Sequence, residues 1–231
     1  MIPGLELPTD PSVLAPAGDA AAKLEQLWWA FLWPAFAVWL LVLVFVGIAV
    51  LRGPAAILDP LRLAEGTRRR LTRSVAVATG LTVLVLLGFL FASSWYGPHQ
   101  SRPVPGSLSV KLGARQWWWR IEYPGKTPSE TVVTANELHL PAGRTVVLTL
   151  GSVDVVHSLW IPELSGKRDL IPGRVSDLVI RAERPGVYRG QCAEFCGAQH
   201  AHMGLLVFVE PPATFERWLA AQRAPARAPE T

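Results

Sequence analysis

The sequence predicts a membrane α-helical hairpin followed by a soluble all-β domain, and three observations carry that reading. Two uncharged apolar runs, residues 27–51 and 74–96, lie in the first hundred residues. From residue 107 the pattern changes to short β-type runs punctuated by Pro and Gly. Half of the 231 residues are hydrophobic and only 17% are charged, too apolar for an ordinary soluble chain.

Residues 1–24 read as a polar N-terminal tail outside the cytoplasm. Pro3, Pro8, Pro11 and Pro16 interrupt it, and its acids outnumber its single lysine, Lys23. It lacks the basic start of a secretory leader, so it is expected to run into an uncleaved first span. The hairpin is expected over residues 25–96. Either apolar run is long enough to cross a hydrocarbon core of ~30 Å. Trp28, Trp29 and Trp33 open the first run and Trp95 and Tyr96 close the second, where amphipathic rings settle at headgroup level. Pro34 falls in the first turns of the first run, where a missing backbone donor costs least.

The segment between the spans, 52–73, holds Arg52, Arg62, Arg68, Arg69, Arg70 and Arg73 against Asp59 and Glu65. The positive-inside rule places it in the cytoplasm, with both termini and the β domain outside. Six arginines less two acids equal the whole formal charge of +4. The charge is thus a topology signal whose partner is membrane lipid, and it gives no ground for a nucleic-acid partner.

Residues 97–106 form a Pro-rich linker in which His99 is expected to be solvated. The β domain is expected over 107–222, with strands at 116–123, 131–140, 145–150, 175–181, 186–190 and 204–210. Turn signals at Pro141 with Gly143 and Pro185 with Gly186 separate some of them. An antiparallel Greek-key sandwich or barrel follows. His139 alternates with apolar neighbours and reads as a structural strand residue. Residues 214–222 form a short helix with Phe215, Trp218 and Leu219 on one face, and 223–231 are a flexible tail.

Chemistry concentrates in residues 192–203. Both cysteines of the chain, Cys192 and Cys196, lie there with Glu194, His200, His202 and Met203. Soft sulfur donors and imidazoles suit copper or zinc and suit magnesium or calcium poorly. Two thiolates and His200 with one distant His would close a zinc site, whereas the thioether of Met203 favours copper. The second thiolate is surplus for one copper and natural for two, each sulfur bridging both metals. Two cysteines outside the cytoplasm also permit a plain disulfide.

The spacing Cys-x-Glu-x-Cys-x3-His-x2-Met resembles the binuclear copper (CuA) loop of cytochrome c oxidase subunit II. That family has an upstream histidine on another loop, and His157 is similar in its surroundings. The resemblance implies a cupredoxin-like domain in which Cys192 and Cys196 bridge two coppers. His157 and Met203 then complete one copper, and His200 and the backbone carbonyl of Glu194 the other. The Glu194 side chain would be left to reach a magnesium or manganese ion at the boundary with subunit I. His202 departs from the family and reads as a polar loop residue.

Trp117, Trp118 and Trp119 are consecutive, so they cannot all face one core. Strand alternation puts Trp117 and Trp119 on one face. The segment also resembles the family's Gln-Trp-x-Trp-x-x-Glu-Tyr stretch, whose first tryptophan, here Trp117, accepts electrons from cytochrome c. Asp169 and Arg174 resemble a segment that faces subunit I. Lys and Arg outnumber Asp and Glu after residue 96, and a local acidic patch could come only from Asp154, Glu137 and Glu122.

The resemblance thus implies the electron-accepting subunit of an aa3-type-like cytochrome c oxidase in a bacterial plasma membrane. It would pass electrons from cytochrome c to haem in subunit I, with a third subunit as a further partner, for oxygen reduction coupled to proton translocation. Such a chain is an enzyme only as part of the complex. The competing readings are a nitrous-oxide or nitric-oxide reductase partner with the same copper centre, a copper-free subunit II of a quinol oxidase, and a membrane-tethered copper carrier.

Overall fold

The computed structural model describes residues 11–52, 64–96 and 105–224. The linker around His99, the middle of the inner segment with Asp59 and Arg62, and the C-terminal tail lie outside these residues. The chain forms two compact units, one of residues 27–99 and one of residues 1–26 with 100–231.

The first unit consists of two helices, α1 (Asp19–Leu51, whose first residues belong to the other unit) and α2 (Glu65–Tyr96). Both are long and apolar enough to cross a membrane. They are apolar all round, with Val38, Phe45, Leu84 and Phe91 all more than half exposed, as a helix meant for lipid is. Phe31 of α1 meets Phe89 of α2 at 4.0 Å between ring centroids. The Thr82 and Ser94 hydroxyls donate to the carbonyls of Ala78 and Leu90, which keeps polar groups satisfied where no water is present. Pro34 lies inside α1 and not in its first turns, because the helix begins well before the apolar run.

The second unit is a sandwich of two five-stranded sheets. Its strands are β1 (Leu108–Arg115), β2 (Trp118–Tyr123), β3 (Val132–Ala135), β4 (Glu137–Pro141), β5 (Thr145–Ser152), β6 (His157–Trp160), β7 (Arg168–Leu170), β8 (Ser176–Arg181), β9 (Gly186–Cys192) and β10 (Gly204–Glu210). One sheet has the order β3-β2-β1-β5-β8 and the other β4-β10-β9-β6-β7. The expected order, two long apolar helices followed by a β-sandwich, is the one found. The sheets are not purely antiparallel, however: β1 pairs with β5, and β4 with β10, in parallel. The chain leaves one sheet for the other between those partners, which lets it return in the same direction.

Residues 131–140 show how that crossing is made. They form two strands in different sheets, not one, and Asn136 between them has a φ of 60°. Asn is one of the few side chains that tolerates this conformation. Its Oδ1 accepts the Trp119 amide at 2.8 Å and its own amide donates to the Trp119 carbonyl. Alternating residues of β1, β2 and β10 fill the core with Val110, Leu112, Trp119, Ile121, Val207 and Val209.

Helix α3 (Pro212–Arg223) buries Phe215 and Leu219. Its Trp218 stacks on the buried His139 at 3.8 Å and 10°, with Phe208 on the imidazole at 4.7 Å. Nδ1 of His139 lies 3.2 Å from Glu210. Desolvation holds this imidazole below its ordinary range, although the neighbouring Glu210 works the other way.

Residues 15–18 form a strap on the sandwich. The Ala17 and Gly18 amides donate to the Glu163 carbonyl, and the Glu183 amide donates to the Ala17 carbonyl. Gly18 forms an isolated bridge with Ala182, and the Arg184 guanidinium donates to the carbonyls of Ala15 and Pro16. A Cβ on Gly18 would stand 2.6 Å from the Leu164 carbonyl oxygen.

Gly18→Ala is therefore expected to loosen the strap at a cost of about 1–3 kcal/mol. Urea unfolding and faster hydrogen exchange at the residue 17 and 183 amides would report it; unchanged exchange would refute it. His139 gives a pH dependence. Its folded pKa lies below the unfolded value, so the unfolded chain binds the extra proton first. Stability is full above about 6.5 and falls as pH drops below it. His139→Phe is expected to flatten that fall in urea unfolding between about pH 7.5 and 5.

Candidate metal centre

The site is assembled at the end of the sandwich where β6 and β9 lie side by side. Leu159 pairs with Cys192 in that register, so His157, two residues earlier, reaches the start of the 192–203 loop. Two backbone bonds fix the loop base: the Cys192 amide donates to the Met203 carbonyl at 3.0 Å, and the Ala193 amide to the Ser158 carbonyl at 2.8 Å. Gly197 has a φ of 115°, and a Cβ there would come within 3.0 Å of Gln116 Nε2 and 3.3 Å of the Trp117 ring. Only glycine lets the loop lie so close to the turn before β2. A short 3-10 turn, His200–His202, brings the chain back to Met203.

All six expected donors converge. Cys192 Sγ is 3.7 Å from Cys196 Sγ, 3.8 Å from His157 Nδ1 and 3.2 Å from the Glu194 carbonyl oxygen. Cys196 Sγ is 3.5 Å from His200 Nδ1 and 3.8 Å from Met203 Sδ. Both cysteines are free thiols, not a disulfide. His157, Cys192, Cys196 and Met203 are buried, His200 is half-buried, and the Glu194 and His202 side chains are exposed. Two sulfurs bonded at ~2.3 Å to one tetrahedral metal stand ~3.8 Å apart, so these separations suit a shared ion.

The electrostatics agree. Burial, followed by the adjoining Cys192 thiol and the Asp154 charge, pushes the Cys196 thiol up to about 12. Two thiolates this close in a dry site need a cation between them, because a metal displaces the protons that burial would otherwise retain. Thiolates, imidazoles and a thioether form a donor set that copper accepts.

Two contributors went unseen in the sequence. Asp154, one of three acids able to form a local patch, is exposed but is tied into the site by its carboxylate. It accepts the Gln116 amide at 2.7 Å and the Val155 amide at 2.7 Å, and contacts His157 Nε2 at 2.9 Å. Burial pushes this carboxyl up, but the bonds from Gln116, His157 and Val155 outweigh it and bring it down to about 2. With Nε2 held by a carboxylate, Nδ1 of His157 is left facing the sulfurs. A carboxylate three residues before a candidate ligand was the available signal. Gln116 is the second contributor: its Nε2 donates to the Cys196 carbonyl at 2.8 Å.

Trp117 lies in the turn before β2, half-buried, and its Nε1 donates to the same Cys196 carbonyl at 3.1 Å. The expected sharing of a face with Trp119 does not occur, because the strand starts only at Trp118. Trp119 is fully buried, with its ring edge-on to His157 at 6.3 Å. Glu122 pairs with Arg120 at 2.7 Å. Asp169 lies in β7 opposite Ser158, and Arg174 lies in the turn before β8.

Residues 127–209 match the model of the family described as cytochrome c oxidase subunit II, periplasmic domain. The matched stretch, which holds His157 and the 192–203 loop, is similar to that domain. Cytochrome c oxidase subunit 2 of Synechocystis sp. is 42% identical over 119 residues, 52% of this chain and 34% of that protein. The alternative cytochrome c oxidase subunit 2 of Bradyrhizobium diazoefficiens is 30% identical over 177 residues, 65% of this chain and 62% of that protein. The chain therefore spans less than two thirds of the length of these subunit 2 relatives. Among solved structures, the periplasmic domain of subunit II of cytochrome oxidase from Bradyrhizobium japonicum is similar, with 26% identity and a TM-score of 0.48. That likeness covers 52% of this chain and 97% of the other.

Asp154→Ala removes the group that orients His157 and is expected to weaken copper binding about 10- to 100-fold. Competition against a chelator would measure this, and affinity equal to wild type would remove Asp154 from the site's support.

Proposed function

We propose that the chain is the electron-accepting subunit II of a cytochrome c oxidase, taking single electrons from cytochrome c and passing them to haem in subunit I. The observation that carries this reading is the convergence of two thiols, two imidazoles, a thioether and a carbonyl within one loop and its neighbour. Cys192 and Cys196 are assigned as bridging ligands, His157 with Met203 as ligands of one copper, and His200 with the Glu194 carbonyl as ligands of the other. Bound there, a binuclear copper centre would supply one-electron acceptance and release with little change in bond lengths.

This chain's own residues do the rest. Asp154 holds His157 in one orientation, and the sandwich holds both loops, so the donors need move little when the charge changes. Trp117 bonds to the carbonyl of a bridging cysteine, which supports its role as the point where electrons arrive. The exposed Glu194 side chain is free to reach a magnesium or manganese ion against subunit I. Oxygen reduction and proton translocation belong to the assembled complex with subunit I and a third subunit. The arginine-rich segment after α1 is assigned to the cytoplasm, and both termini and the copper domain to the outer side of a bacterial plasma membrane.

The test is the detergent-solubilised full chain loaded with copper, read by metal content and low-temperature electron paramagnetic resonance. Two coppers per chain and a seven-line hyperfine pattern are expected, with Cys196→Ser abolishing both. One copper with four lines would favour a carrier, and no copper at all would favour the copper-free quinol oxidase subunit.

A further inference from the structure

We infer that the surface over the metal centre is an apolar, nearly uncharged docking face. It fits an electron donor whose redox group opens through a similarly uncharged face, and not one ringed by lysines. This rests on the proposed function, since it names the kind of partner that reaches the same site.

The face is defined by side chains that no fold requirement leaves in water. Phe195, within the metal loop, is 76% exposed and Val153 is 65% exposed, while Val155 and Val156 are each 37% exposed. They adjoin one another through the site itself. Trp117 and Gln116 both bond the carbonyl of Cys196, the neighbour of Phe195. The Gln116 amide bonds Asp154, which stands between Val153 and Val155. The apolar residues therefore flank the place where Trp117 touches the loop.

The charges nearby do not add up to an attractive field for a cation. Asp154 is engaged by the Gln116 and Val155 amides, Ser152 Oγ and His157, so its carboxylate is already hydrogen-bonded inward. Glu122 is tied to Arg120. With the Glu194 side chain assigned to the subunit I boundary, the exposed charges beside the face are Asp154 itself and Arg115 next to Gln116, and they are of opposite sign. Steering of a basic partner needs an excess of one sign, whereas exposed Phe and Val release water on contact whatever the salt concentration.

The experiment uses the copper-loaded full chain in lipid nanodiscs and two probes. One is a lysine-ringed mitochondrial cytochrome c, and the other a c-type cytochrome with uncharged residues around its haem edge. Affinity and electron-transfer rate are followed as salt rises from about 0.01 to 0.5 M, a range that removes long-range charge attraction. The uncharged probe is expected to bind more tightly at about 0.15 M, with affinity changing less than about threefold over the range. Val153→Ser combined with Phe195→Ser is expected to weaken it roughly tenfold while two coppers per chain are retained. Val153→Glu is expected to raise the rate with the lysine-ringed probe about tenfold at low salt only.

Wild-type affinity for the lysine-ringed probe that is the higher of the two and collapses about 100-fold with salt would overturn this inference alone. So would a double serine variant that binds as wild type does. A chain that takes up no copper would overturn the proposed function and this inference together.

Discussion

Two sulfur atoms 3.7 Å apart in a buried loop set the conditions that the rest of the soluble domain meets. The Cys196 thiol does not ionise readily there: burial and the adjacent sulfur push it up to about 12. The arrangement becomes favourable only with positive charge between the sulfurs. Everything that brings further neutral donors to the same point supports that demand, and everything that admits water or lets the loop spread works against it.

Rigidity comes from pairing, not from the loop itself. The loop starts at the last residue of β9 and ends at Met203, just before β10, and its ends are joined by the bond from the Cys192 amide to the Met203 carbonyl. Strand β6 holds His157 against it through the Leu159 to Cys192 register. From the other sheet, the turn before β2 supplies Gln116 and Trp117, both bonded to the carbonyl of Cys196. Three segments distant in sequence thus meet at one site, and the hydrogen bonds to the Cys196 carbonyl also connect it to the half-buried indole of Trp117.

The same economy explains Asp154. A carboxylate in this loop would serve as a lure for a basic partner if it faced outward. It instead accepts two backbone amides and contacts the imidazole of His157, so its carboxylate is held in place to orient a ligand. Orientation of the site and attraction of a partner are competing uses of one acid, and the geometry here serves the first. The exposed Phe195 and Val153 are what the surface offers in its place.

Much was legible in the sequence because it depends on local patterns. Uncharged runs of spanning length mark α1 and α2, alternation marks β5 and β8, and donor spacing within twelve residues marks the candidate metal loop. His157 was legible only through resemblance to a family. What tertiary structure alone decided depends on partners far along the chain. The stretch 131–140 carries one continuous strand pattern, yet Asn136 divides it between two sheets because its side chain finds Trp119. Three tryptophans in a row fix an alternation but not its starting point, and the turn at Trp117 decides that Trp119 is the buried one. Strands β1, β6 and β7 went unread; β6 is buried at His157, Ser158 and Leu159 alike and shows no alternation. Gln116 carries no local sign of its role, because hydrogen bonds to residues 38 and 80 positions away leave no period in the sequence. Local physics determined which residues are able to bind a metal, and only long-range pairing determined how they are held.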